Sequence, residues 1–426
     1  MRKAQKGREA EMSYNYLFVI CIILVSTKLL SLLTGRLQMP QVVGSLLAGL
    51  LLGPAVLGIL PPSDFLNRLA ELGVIVIMFS AGTGTSLKDL KNSGKSGLLV
   101  ACLGVIIPLG LGALLMGIFN PDASMLTNIF MGTILTATSV SITVETLKEM
   151  GKLSTKVGNT ILAAALIDDV LGLICLTIVT SLSGADVNIG IVLLKILLFF
   201  VFVTVIGFIF NKVSTWYMNR LNNQNLHRFP IAGFALCLFF AWAAEEIFGV
   251  ADIIGAFAAG LIVATTPKGT YISSKFSPLS YLLLTPIFFA NIGLKVTLPQ
   301  LSGKLILFTV LLVLVGVLSK LIGCGIGAKL CGFTNRQAVQ TGLGMACRGE
   351  VALITANKGM SIGIMEQEYF GPVIILIVCC AVFTPILLKL AFKNYVSSPQ
   401  DSTLVDNYEL SQADIEEGRA IRPRNT

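Results

Sequence analysis

The chain has 426 residues, 54% of them hydrophobic and only 13% charged, with a mean hydropathy of +0.84. Apolar runs of about twenty residues, the length that crosses a bilayer, recur along almost the whole chain; this excludes a soluble protein and predicts an all-α polytopic membrane protein. The net charge of +8 would suit a nucleic-acid partner in a soluble domain, but here it reads as basic cytoplasmic loops and no nucleic acid is expected.

Thirteen spans are predicted in chain order, near residues 14–33, 39–60, 69–86, 97–119, 125–147, 156–181, 189–210, 229–246, 249–266, 276–294, 305–328, 335–358 and 370–392. They make one membrane domain, 14–394, between an N-terminal segment, 1–13, and a polar, acidic stretch, 395–426, expected to be a disordered cytoplasmic tail. Loops on the side of the C-terminus hold fourteen Lys and Arg residues and the opposite loops hold four, so the C-terminus is expected in the cytoplasm and the N-terminus outside. Arg2, Lys3, Lys6 and Arg8 would prefer the inside, so either the span count is off by one or Met12 is the natural start, and Met12 is favoured. The first apolar run lacks a small-residue cleavage site, so no cleavable signal peptide is expected. Nine cysteines, mostly within apolar runs and without a CxxC pattern, read as small buried residues. His227, the single histidine, lies in a polar loop, so no His-based metal site is expected.

Four spans carry unusual polar residues. The fifth has a run of hydroxyls, Thr133, Thr136, Thr138, Ser139, Ser141 and Thr143. Hydroxyls satisfy backbone groups where a helix breaks, although they also serve ordinary helix packing in membranes. The sixth carries Asp168 and Asp169 near its centre, where a carboxylate costs roughly 2.5–3.5 kcal/mol on insertion scales and is usually functional. Neighbours on a helix point about 100° apart, so one aspartate can face a cavity while the other faces a partner. Two acids at that depth suggest a site for protons or cations. In the eleventh span Lys320 lies too deep to snorkel comfortably and is the obvious partner. In the twelfth, Gly342, Gly344, Arg348, Gly349 and Glu350 mark a second irregularity, where Arg348 and Glu350 either pair with each other or compensate exposed helix ends. Glu245 and Glu246 read as interface residues at a span end, and Glu71 and Asp252 as acids that begin spans.

The irregular fifth and twelfth spans are seven apart and so cross in opposite directions, as inverted repeats relating spans 4–6 to spans 11–13 would require. Lys320 and the two aspartates would then converge at the membrane midplane beside two discontinuous helices.

The segments Pro40–Pro54 (PQVVGSLLAGLLLGP), Glu71–Phe79 (ELGVIVIMF), Thr136–Val140 (TATSV), Ala165–Val170 (ALIDDV), Thr285–Phe289 (TPIFF) and Arg348–Glu350 (RGE) resemble the monovalent cation:proton antiporter-2 family. The resemblance covers nearly the whole membrane region in the family's order. It implies a homodimer in the cell membrane of a prokaryote, with core helices at about 97–181 and 305–392 moving, elevator-like, against dimerisation or scaffold helices at about 14–86 and 229–294. By position, Asp169 resembles the ion- and proton-binding carboxylate and Asp168 the neighbouring acid paired with the core lysine, here Lys320. Thr136, Ala137 and Thr138 resemble the unwound crossing of one broken helix, and Arg348 with Glu350 the start of the other's irregular region. The Asp-Asp pair, with no nucleotide-binding domain after the membrane region, favours the NapA/GerN-like sodium/proton antiporters over the Kef systems. A departure is Gly82-Thr-Gly-Thr85, which stands where many relatives have Gly-Leu-Glu, so any role of that acid is absent.

The implied activity is exchange of Na⁺ for H⁺ by competition at Asp169, with no cofactor and no enzymatic reaction. Li⁺ and K⁺ are alternative cations, and the Asp168–Lys320 couple suggests more than one proton per cation. A K⁺/H⁺ exchanger would share these residues. A channel would need a filter repeat that is not recognisable here, and intramembrane aspartyl proteases place their acids on separate helices.

Overall fold

A computed structural model describes residues 15–36, 39–184, 188–220, 228–296 and 302–393. The N-terminal segment with its alternative start at Met12, the loop with His227 and the acidic tail lie outside the described residues. Among the described residues there is no strand, and ten helices are long and apolar enough to cross a membrane by length and composition.

The first half contains α1 (Asn15–Arg36), α2 (Gln41–Leu52), α3 (Asp64–Thr83), α4 (Leu87–Phe119), α5 (Met125–Thr136), α6 (Val140–Glu149), α7 (Lys156–Leu182) and α8 (Ile189–Arg220). The second contains α9 (Arg228–Trp242), α10 (Asp252–Ala264), α11 (Gly269–Leu279), α12 (Thr285–Leu294), α13 (Gly303–Leu330), α14 (Asn335–Gly344), α15 (Glu350–Ser361) and α16 (Phe370–Phe392). Several starts are written in the sequence as hydroxyl caps. Ser63, Ser86, Ser124, Thr155, Ser302 and Thr334 each accept a first-turn backbone N–H, and Thr334 with Gln337 completes a reciprocal capping box.

Some boundaries differ from the predicted ones for local reasons. The expected span 39–60 is helical only as α2, because Gly53 turns extended at ψ 179° and Pro54 has no N–H to continue the ladder. The chain then folds back, and the amides of Leu57, Ile59 and Leu60 donate to the last carbonyls of α2. Caps at Ser63 and Ser86 start α3 and α4 earlier than hydropathy suggests. Glu71 therefore lies inside α3 instead of beginning it, and Lys88, Lys91 and Lys95 sit on the opening turns of α4. The expected spans 125–147 and 335–358 are each two helices, α5 with α6 and α14 with α15, separated by non-helical residues.

The helices pack mainly in two sets. In one, α4 lies against α13, α7 and α5, and α14 and α16 pack on α13. In the other, α10 packs on α3, α2 on α1 and α12, and α9 on α10. At the α3–α10 crossing, Gly82 and Gly260 face each other so closely that a Cβ on Gly82 would lie 3.0 Å from the Cα of Gly260. Small residues of this kind let membrane helices approach backbone to backbone. The sets meet where α6 touches α2 and α3 and where α16 touches α2, while α8 lies against α7 and α10.

Candidate functional site

Asp168 and Asp169 lie at the middle of α7, and the helix rotation separates their surroundings. Asp168 is 2% exposed and faces α13, where its Oδ1 accepts a hydrogen bond from the Lys320 ammonium at 2.7 Å. Lys320 is fully buried. Gly104 of α4 closes over it: a Cβ there would lie 3.6 Å from Lys320 Nζ and 2.6 Å from Cys324 Sγ. Two charges so deep are stable only because each answers the other.

Asp169 is partly buried, and its Oδ2 is enclosed without a hydrogen-bond partner among the described residues. It lies within electrostatic range of Asp168, Glu350 and Lys320. A carboxylate oxygen enclosed by protein that offers it no donor among the described residues has an open need for a proton or a cation.

The two interrupted spans cross each other beside this pair. Between α5 and α6 the chain is non-helical over 137–139, and between α14 and α15 over 345–349. Two bonds join the interruptions, Ser139 N–H to Cys347 O at 2.9 Å and the Thr138 hydroxyl to Met345 O at 3.3 Å, and a third runs from the Thr143 hydroxyl of α6 to Gly344 O at the end of α14 at 2.8 Å. Each satisfies a carbonyl at or just beyond the end of the broken helix, where no intrahelical partner is available.

Arg348 is fully buried at the crossing. Its guanidinium donates to the carbonyls of Ala137 and Thr136 at the C-terminal end of α5, and to Gly316 O of α13 at 3.0 Å. A cation is favoured there, where the carbonyl end of a half-helix points. Glu350 begins α15, and its Oε2 is buried without a partner among the described residues. An acid at a helix N-terminus is favoured by the same dipole.

The predicted residues are thus brought together in two contacts. Asp168 meets Lys320, and Arg348 meets Thr136 and Ala137, while Asp169 is within electrostatic range of Glu350 without a direct contact to it among the described residues. Of the two expectations for Arg348, the structure has the compensation of a helix end; no Arg348–Glu350 ion pair forms among the described residues. The expected placement of Arg348 and Glu350 at the start of the irregular region needs correction, because that region begins at Met345, Arg348 lies near its end and Glu350 is already helical. Thr136 contributes its carbonyl, since its hydroxyl is spent on Thr133 O inside α5. Sequence reasoning missed Cys347 and Gly316, whose carbonyls accept from Ser139 and Arg348. A backbone oxygen leaves no mark on residue type, so no signal pointed to either.

The model of a transmembrane sodium/hydrogen exchanger domain matches residues 21–393. This chain belongs to the sodium/hydrogen exchanger family. Among relatives of this exchanger, the Na⁺/H⁺-K⁺ antiporter GerN of Bacillus cereus is 39% identical over 386 residues, covering 89% of this chain and 97% of GerN. The Na⁺/H⁺ antiporter of Enterococcus hirae is 35% identical over 386 residues, covering 88% and 97%. The solved structure of the sodium proton antiporter MjNhaP1 from Methanocaldococcus jannaschii shares the fold, with a TM-score of 0.63 at 18% identity over 90% of the exchanger and 97% of that chain.

Proposed function

We propose that this chain is a secondary transporter that exchanges Na⁺ for H⁺ across the membrane, with Asp169 as the group for which the two ions compete. The observation that carries the reading is the enclosed, unpartnered Oδ2 of Asp169 beside the crossing of two broken helices. Ionised, Asp169 binds a partly dehydrated Na⁺ with nearby oxygens; protonated, it releases the cation. A bare carboxylate is costly to move through a low-dielectric interior, so the site crosses only when occupied by one ion or the other, and uncoupled leak is suppressed. Raising the pH therefore lowers the Na⁺ concentration needed for half-maximal exchange, as proton competition recedes.

The remaining residues support this carboxylate. Asp168 and Lys320 neutralise each other at 2.7 Å and anchor α7 to α13. If the couple also exchanges a proton during the cycle, transport carries net charge. Arg348 and Glu350 compensate the ends of the interrupted helices. The set built on α4, α5, α7, α13, α14 and α16 is the moving core, and the set built on α1, α2, α3, α9, α10 and α12 is the scaffold through which two copies dimerise in the cell membrane of a prokaryote. In this reading the C-terminus and the basic loops are cytoplasmic, and the N-terminus lies outside.

The test is cation-driven proton efflux from acid-loaded proteoliposomes, with Asp169→Asn as the control. Efflux driven by Na⁺ and reduced at least a hundredfold in the variant supports the reading; undiminished efflux in Asp169→Asn overturns the assignment. K⁺ is a second candidate cation because the name of GerN includes it. Competition between Na⁺ and K⁺ in the same assay ranks the two.

A further inference from the structure

Away from the ion site, a cavity of about 810 Å³ opens between the second half of α8, the C-terminal end of α10 and the first residue of α4. Its lining changes character along α8. Toward the middle of the helix it is apolar, with Val203 and Phe208 facing Leu261 and Ile262. Toward the helix end it is polar, with Asn211, Lys212, Thr215 and Trp216. From Val203 to Trp216 the helix rises roughly 20 Å, comparable to the length of one lipid acyl chain, and α8 turns much of its surface outward, including exposed Val205, Phe208, Ile209 and Val213.

The polar end is organised. Asn211 donates its amide to the Thr265 hydroxyl at 2.6 Å, which ties α8 to the end of α10, and accepts from the Thr215 hydroxyl at 3.2 Å. Beside this row the exposed Lys212 ammonium has no ion-pair partner among the described residues, and no Asp or Glu lines the cavity. At the floor Gly207 lets Ile262 of α10 pack directly against α8, since a Cβ there would come within 2.5 Å of Ile262 Cδ1. A cation with hydrogen-bonding neighbours and an exposed Trp at one end, above an apolar slot, has the chemistry of a charged headgroup and its hydrocarbon tail.

We propose that this cavity binds one anionic phospholipid of the leaflet on the side of the basic loops. Its phosphate lies at Lys212 and the Asn211–Thr215 row, and one acyl chain lies along Val203, Phe208 and Ile262. The lipid bridges α4 of one packing set and α10 of the other, so it would bias how the two sets sit against each other. This inference goes beyond the exchange reaction and does not rest on it.

The test compares retention of phosphatidylglycerol and phosphatidylcholine on the delipidated full chain by native mass spectrometry, with thermal midpoints measured in parallel. Preferential retention of phosphatidylglycerol with a higher midpoint is expected. Lys212→Gln should lower that retention about fivefold, the effect of one basic residue near a membrane surface. Thr204→Trp, which fills the apolar half, should also reduce it, whereas Lys329→Gln, an exposed lysine outside the cavity, should leave it unchanged. Equal retention of both lipids, or retention indifferent to Lys212→Gln, means annular lipid only and overturns the proposal. Stabilisation by glycerol 3-phosphate equal to that by phosphatidylglycerol would also overturn it, because the slot would then hold no acyl chain. If Thr204→Trp does not fold, the surface change Lys212→Glu decides the matter, with loss of the preference for phosphatidylglycerol expected.

Discussion

Two chemically identical neighbours, Asp168 and Asp169, have opposite situations because a helix turns about 100° between them. Asp168 is held by a buried ammonium, while Asp169 keeps an oxygen with no protein partner among the described residues. The first reads as an anchor and the second as a site. Removing one member of a fully buried pair leaves the other charge uncompensated, so Lys320→Met should destabilise the protein by about 3–5 kcal/mol. The double variant Asp168→Asn with Lys320→Met should recover most of that loss, because it removes both buried charges. Thermal unfolding of the two single variants and the double variant in detergent measures this. Additive losses would show that the two residues do not act as a unit.

At the scale of elements, the interruptions over 137–139 and 345–349 hold each other in place. Neither broken helix could satisfy its own ends in a hydrocarbon environment, and each supplies donors for the carbonyls the other exposes. The fit is close: a Cβ on Gly349 would lie 2.6 Å from Ser139 Oγ and 2.8 Å from Ser139 Cβ. Gly349→Ala should therefore lower stability by about 1–3 kcal/mol, the usual cost of overpacking, and slow exchange by displacing Arg348 from the carbonyls it caps. Adding Ser139→Gly removes the obstructing side chain and should restore part of both. Unfolding midpoints and proton efflux rates report the two effects separately, and a midpoint for Gly349→Ala equal to that of the parent would mean that the crossing yields freely.

For the whole molecule, the question is whether the two packing sets move against each other. Their junction includes two polar contacts from α6. Both carboxylate oxygens of Glu149 accept the N–H of Gln41 at the start of α2, at 3.0 and 2.8 Å, and the Lys148 ammonium donates to Ser80 Oγ of α3 at 3.2 Å. If the core slides against the scaffold, these contacts must break in each cycle. In a cysteine-free background, bridging Gln41→Cys to Glu149→Cys with a bis-methanethiosulfonate reagent, which forms a mixed disulfide with each thiol and expels sulfinate, should stop exchange, and cleaving the bridge with a reductant should restore it. Exchange that continues with the bridge intact would mean that the sets do not separate at this junction.

The sequence alone determined that this is a helical membrane protein, the order of most of its spans, the two irregular segments, and the acids and the lysine that share membrane depth. These follow from local quantities: the hydropathy of about twenty residues and the cost of a charge placed among them. Hydropathy also overstated the second span, because a short apolar helix and an apolar turn look alike until Gly53 and Pro54 break the ladder. The tertiary structure decided which aspartate meets Lys320, which carbonyls Arg348 caps and how the broken helices bond across their crossing. Those depend on helix rotation and on contacts between residues as far apart as 152 positions for Lys320 and Asp168 and 207 for Thr138 and Met345. Every acceptor in the crossing is a backbone carbonyl, which every residue type carries alike, so only the placement of the chain in space could specify which carbonyls the donors meet.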